Sequence, residues 1–162
     1  MENMKKVLLH IGCGHHYHEG FINSDKEPNS PKNGRPYKLD EILDITQPWH
    51  YADGSVDGII SMVVFQHLTW LQIIFALREA YRVLKPGGVI RTGIVLAEKN
   101  YPKLYLYGSN INLFSFDLFK NILERTGFKE VKECRLRRSS VPEFTKVDCR
   151  HHIGTCYIEA IK

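Results

Sequence analysis

No apolar run in this chain approaches the ~18 residues that a membrane-spanning helix needs, so no such span is expected. The opening Met1-Glu2-Asn3-Met4-Lys5-Lys6 leads only into Val7-Leu8-Leu9-His10-Ile11, too short for a signal-peptide core and followed by no small-residue cleavage site. A cytoplasmic protein is the expectation. Cysteine is sparse as well. Cys13, Cys134, Cys149 and Cys156 show neither CxxC spacing nor the rhythm of a disulfide framework, which predicts reduced thiols. No Gly-Lys-Ser/Thr phosphate loop is present, and Tyr17 stands where a dinucleotide fingerprint would place its third glycine. Nicotinamide and flavin cofactors are therefore disfavoured. Internal repeats and low-complexity tracts are also missing. The net charge of +4 is too small to announce a nucleic-acid partner.

What is there has the balance of a globular protein. With 43% apolar and 25% charged residues, 162 positions suffice for one sizeable core and predict a single domain over residues 1–162. The positive charge is uneven: Arg135, Arg137, Arg138, Lys146 and Arg150 gather near the end, beside His151 and His152. Such a run is either a solvated surface or a site that attracts an anionic substrate.

Residues 7–11 form a short apolar run that ends at Gly12, as a buried parallel strand does. Residues 20–25 are a second strand candidate, residues 26–37 a loop rich in proline, asparagine and glycine, and residues 41–45 a third strand. After the Asp53-Gly54 turn, residues 56–64 give the longest β-rich stretch. Thr69 with Gln72 three positions on has capping-box spacing, and Leu71, Ile74, Leu77, Tyr81 and Leu84 repeat as a helical core stripe. Pro86-Gly87-Gly88 closes that helix. A strand over 89–95 follows, then a helix over 116–126 with Leu118, Ile122 and Leu123 inward, stopped by Gly127. Residues 131–136 and 155–161 are the last strands. The order predicts a mostly parallel α/β sheet. Between Gly14 and Gly20 there is no room for an ordinary crossover helix, so the first crossover is expected to be abbreviated.

Ile11-Gly12-Cys13-Gly14 directly after a strand is where an open α/β sheet binds a nucleotide-like ligand, because glycine lets the ligand approach the backbone. Asp25 and Asp44 each end a strand. A carboxylate there either accepts hydrogen bonds from ribose hydroxyls or caps a turn.

Several longer segments resemble class I S-adenosylmethionine-dependent methyltransferases, in particular a short, methyltransferase type 11-like branch. Leu9-His10-Ile11-Gly12-Cys13-Gly14 and Gly20-Phe21-Ile22-Asn23-Ser24-Asp25 are similar to the family's first two motifs. Leu43-Asp44-Ile45 and Ala52-Asp53-Gly54-Ser55-Val56-Asp57-Gly58-Ile59-Ile60-Ser61 are similar to its third and fourth strands. Arg78-Glu79-Ala80-Tyr81-Arg82-Val83-Leu84-Lys85-Pro86-Gly87-Gly88 resembles its most recognisable helix and turn. The resemblance implies a Rossmann-like, mostly parallel sheet with an antiparallel C-terminal strand, and S-adenosylmethionine as cofactor. By position, Gly12, Cys13 and Gly14 would line its methionine and ribose end. Asp25 would hold the ribose, Asp44 and Ile45 would flank the adenine, and Ser61 and Met62 would lie beneath the methionine. Members of this branch are often placed with glycan modification, which implies a small-molecule or glycan acceptor and O-methylation of a sugar hydroxyl.

Two departures stand out. Val63 and Gln66 occupy positions where relatives often carry a histidine and a carboxylate. The chain also begins almost at its first strand, without the helix that usually covers the cofactor, which either leaves the site open or calls for a homodimer contact, a partner subunit or the loop 139–150 as cover. Methyl transfer is an in-line displacement in which alignment is the largest lever, and a hydroxyl acceptor gains from a base titrating near neutrality. His67, after the fourth strand, is the candidate base; its other reading is a histidine bonded to backbone at the start of a helix. His15, His16 and His18 flank the glycine turn. With Cys13, or with Cys149, His151 and His152, they raise the alternative of a metal-binding protein, although their spacing matches no compact zinc motif. A non-catalytic S-adenosylmethionine-binding module is the other alternative.

Overall fold

The computed structural model describes residues 6–97, 112, 114–147 and 155–162. Among them, seven strands form one sheet: β1 (Leu8–Ile11), β2 (Ile22–Asp25), β3 (Glu41–Ile42), β4 (Val56–Met62), β5 (Leu84–Val95), β6 (Lys129–Cys134) and β7 (Thr155–Ile161). Their spatial order is β3-β2-β1-β4-β5-β7-β6. All pairings from β3 to β5 are parallel, and β7 runs antiparallel to both its neighbours. The predicted architecture is therefore present, antiparallel strand and abbreviated first crossover included. The third strand is shorter than the sequence suggests, two residues instead of five.

Helix α1 (Trp70–Val83) begins at the predicted capping box: the Gln72 N–H donates to Thr69 Oγ1, and Gln72 Oε1 accepts from the Thr69 N–H at 2.8 Å. Its core stripe is not the predicted one. Leu71 is 81% exposed and Ile74 38%, whereas Ile73, Ala76, Leu77, Ala80 and Val83 are buried. Alanines let the helix lie close to the sheet, and the larger Leu71 and Ile74 stay outside. Helix α2 (Phe116–Thr126) is capped by Ser115 and ends at Gly127 in the left-handed conformation. Its buried residues are Phe119 and Leu123; the predicted inward Leu118 is 41% exposed. Both helices cover one face of the sheet, where Phe65 and Phe114 pack around Phe119. Among the described residues no helix is long and apolar enough to cross a membrane.

The opposite face has no α-helix among the described residues; residues 135–147, after β6, cross it instead. Arg91 and Glu159 are cross-strand partners on β5 and β7, 0% and 1% exposed, with 2.9 Å between Nη1 and Oε1. The Arg91 guanidinium also donates to the carbonyls of Arg135 and Arg138, at 3.1 and 3.0 Å. The other Glu159 oxygen accepts from the Ser140 amide and hydroxyl. Burial opposes ionisation of Glu159, but bonds from Ser139 and Ser140 together with Arg91 outweigh it and hold the carboxyl below its usual range. With the turn so anchored, a 3-10 helix (Pro142–Lys146) lowers Phe144 onto the sheet. Gly58 lies beneath it, where a Cβ would come 2.6 Å from the ring. Leu8, Phe21, Ile60, Met62, Val89, Val147 and Tyr157 complete this second core. Removing one partner of a buried ion pair typically costs about 3–5 kcal/mol. Glu159→Leu should therefore lower unfolding free energy in urea by that amount, and a loss below about 1 kcal/mol would mean the pair does not secure this face.

Candidate active site

β1 delivers the chain into a turn whose two glycines do different work. Gly12 and Gly14 both have left-handed φ, +63° and +52°. A Cβ on Gly12 would stand 2.5 Å from Val64 Cγ2, so this glycine admits the Val64 side chain against the backbone. A Cβ on Gly14 would meet nothing within 4 Å. The Gly14 N–H donates to Asp25 Oδ2 at 3.0 Å. Between them, Cys13 contributes main chain: its N–H donates to the Ser24 carbonyl and its side chain is buried. Burial first, and the Asp25 charge second, push the thiol up to about 12, which leaves it unreactive.

A cleft of about 670 Å³ opens beyond the C-terminal ends of the strands, a size suited to a small-molecule ligand. One wall, at the β2–β3 end, carries Asp25, Leu43, Asp44 and Ile45; the other, after β4, carries Val63, Val64, His67, Leu68 and Gln72. Asp44 Oδ1 accepts from the Thr46 N–H and hydroxyl at 2.9 and 2.7 Å. Those bonds, led by the hydroxyl, hold the Asp44 carboxyl below its ordinary range. Capping a turn and lining the cleft are thus compatible for this residue. The donor set fits an adenosine ligand: carboxylates for hydroxyls and an amine, apolar Leu43, Ile45 and Val64 for a flat ring, and open space at Gly14.

Of the residues singled out in the sequence, the cleft brings together Gly12, Asp25, Asp44, Ile45 and His67. Gly14 joins through its bond to Asp25. Ser61 and Met62 are consecutive on β4 and so face opposite sides of the sheet. Met62 packs into the core beneath Phe144, and the Ser61 hydroxyl is buried on the helix side with no hydrogen-bond partner among the described residues, as is that of Thr92 across the β4–β5 pairing. The Gln66 side-chain amide is likewise buried with no partner among the described residues. Val63 adopts φ +60°, a left-handed conformation that costs a β-branched residue about 1–2 kcal/mol or more. Its N–H is fastened to the Gly93 carbonyl at 2.8 Å.

The site also rests on residues the sequence reading did not single out. Asn23 is the hub of the helix-free first connection. Its amide oxygen accepts from the His18 N–H, and its NH2 donates to the carbonyls of His18 and Phe21 and to Asp40. Asp40 also accepts from the Asn23 N–H and from the Tyr17 hydroxyl. A polar residue inside the Gly-Phe-Ile-Asn-Ser-Asp strand was the available signal. His10 lies beneath this hub, its Nδ1 3.2 Å from Asn23 Oδ1 and its ring 5.2 Å from that of His18. His15 packs edge-on against Tyr37. Among the described residues no group of three or more His, Cys, Asp or Glu side chains is placed to hold a metal ion. Cys149, Arg150, His151 and His152 lie outside the described residues.

The methyltransferase-domain family matches residues 9–92. No curated protein matches the chain in sequence. Solved structures share its fold. An S-adenosylmethionine-dependent methyltransferase from Archaeoglobus fulgidus is 19% identical, over 99% of this chain and 87% of that one, with a TM-score of 0.69. One from Mesorhizobium loti is 15% identical over 98% and 91%, TM-score 0.63. A Haemonchus contortus phosphoethanolamine N-methyltransferase, solved with phosphomonomethylethanolamine and S-adenosylhomocysteine, is 15% identical over 99% and 50%, TM-score 0.64.

Burial is the largest influence on His10 and lowers its pKa to about 3, only partly offset by the Asn23 bond. The unfolded chain takes up this proton near 6.5 and the folded one does not until about pH 3. Stability from the neutral ring is therefore complete above pH 6.5 and is lost as pH falls, at about 1.4 kcal/mol per unit. Urea midpoints between pH 7 and 5 should fall for the wild type and fall less for His10→Gln; parallel slopes would contradict the assignment.

Proposed function

This chain belongs to the methyltransferase-domain family and its cofactor is S-adenosylmethionine; on that premise we propose that it is an enzyme that methylates a hydroxyl of a small polar acceptor, with a sugar as the class. The observation that carries the reading is the division of the cleft: carboxylates stand on the β2–β3 wall and an imidazole on the β4 wall. In this reading Asp25 receives the ribose hydroxyls. Asp44 and Ile45 flank the adenine. The main chain of Gly12, Cys13 and Gly14 follows the ribose and methionine. Ser61 and Met62 support that turn from below through β4, which pairs with β1 beside it.

The cofactor supplies a methyl group on a positively charged sulfur, open to in-line displacement. The protein's share is to hold the acceptor oxygen on that line and to take its proton. His67 is the residue of the β4 wall able to do the second. That wall carries no carboxylate among its described lining residues, which disfavours a cationic amine acceptor and supports a neutral hydroxyl.

Asp25→Ala should weaken S-adenosylhomocysteine binding by about 1–3 kcal/mol in calorimetry, the worth of hydrogen bonds to a charged group; unchanged affinity would return Asp25 to holding Gly14 alone. His67→Ala should lower turnover of a sugar acceptor by about 10²–10⁴-fold with S-adenosylhomocysteine affinity intact. Turnover within a few-fold of wild type would mean that alignment alone drives the reaction. Tight binding with no transfer to any sugar, small hydroxyl or amine in a broad screen would favour a binding module over an enzyme.

A further inference from the structure

The segment between β2 and β3 is a small hairpin, and it stands beside the cleft. Pro28, Pro31 and Pro36 with Gly34 bar a helix here. Asn29 and Pro36 form an antiparallel bridge, the Ser30 N–H donates to the Arg35 carbonyl and the Gly34 N–H to that of Ser30, both at 2.8 Å. At its base the Tyr37 N–H donates to the Pro28 carbonyl at 2.9 Å. Just beyond, Lys38 lies over the Tyr17 ring and Asp40 is bonded to Asn23 and Tyr17. The hairpin is thus tied to the first connection by side chains at its root, and His15 of that connection braces Tyr37 edge-on, with ring centroids 4.6 Å apart.

We propose that hairpin 28–37 covers the adenosine half of the cleft, with the Tyr37 ring and Pro31 as the surface the adenosine lies against. Tyr37, Pro31 and Lys26 all line the cleft. The hairpin leaves the sheet directly after Asp25 and returns at β3, so it is confined to the half of the rim that carries Asp25 and Asp44. The half after β4, with Val63 and His67, lies beyond β1 and is left to the reacting groups. A rigid aromatic braced by a second ring is ordered before the ligand arrives, so little conformational freedom is lost on binding. The inference rests on the cofactor placement proposed above and adds to it a residue outside the glycine turn and strand ends.

The test is calorimetry of S-adenosylhomocysteine and, separately, of 5′-methylthioadenosine, which keeps the adenosine and lacks the amino acid. Tyr37→Ala should weaken both by the same factor, about 5- to 150-fold, the range for removing an aromatic partner of a base. Tyr37→Phe should retain wild-type affinity, and thermal melts of both variants establish that they fold. Unchanged affinity in a folded Tyr37→Ala, or a loss for S-adenosylhomocysteine without one for 5′-methylthioadenosine, would overturn the inference. Failure of the wild type to bind S-adenosylhomocysteine would overturn the underlying placement instead.

Discussion

A buried parallel sheet has two apolar faces and three crossovers to make between β1 and β4, and in this protein no helix makes any of those crossovers. That constraint shapes the rest. Backbone groups in a connection that lacks a helix still need partners, and an uncovered apolar face is costly. Side chains meet both needs here. Asn23 and Asp40 fasten the first two connections to β2. Glu79 and Arg82 on α1 fasten the third, through Trp49, Tyr51 and Asp53. Arg91 and Glu159 hold residues 135–140 against the face that carries no α-helix among the described residues. Each tie joins parts of the chain that local hydrogen bonding alone would not join.

The same ties build the cleft. Because the first connection is a turn instead of a helix, Gly14 comes within hydrogen-bond reach of Asp25 and His15 reaches Tyr37. Because the second is a hairpin, Pro31 and Tyr37 stand at the edge of the cleft. The wall after β4 is different in kind. Val63 is strained, Val64 is pressed onto Gly12, and the Gln66 side-chain amide is buried with no hydrogen-bond partner among the described residues. The strained backbone beside the cleft is tied to the neighbouring β5 by the Val63 N–H bond to the Gly93 carbonyl.

Much of the fold is legible in the sequence because local signals agree with one another. The glycine turn follows a buried strand, Thr69 and Gln72 cap α1, and Gly127 stops α2. What is not legible depends on distance or on small residues. The α1 stripe is misread because Leu71 and Ile74 outweigh Ala76 and Ala80 in any hydrophobic pattern, although it is the alanines that allow close packing. A lone Arg91 and a lone Glu159 inside apolar strands hint at a partnership, but 68 positions separate them and only the β5–β7 register joins them. Strand parity puts Ser61 and Met62 on opposite faces of β4, so only the strand they share runs beneath the glycine turn. The hairpin 28–37 reads as a loop, and nothing local says where a loop points.

The proposed cofactor site is formed by connections that side chains hold where helices would ordinarily stand. Amide hydrogen exchange of the intact protein with and without saturating S-adenosylhomocysteine tests it most directly. Exchange should slow at Gly14, at Thr46 and across residues 30–37, with little change in the segment 135–147 that covers the opposite face. Unchanged exchange at Gly14 and the hairpin, with protection confined to 135–147, would contradict it.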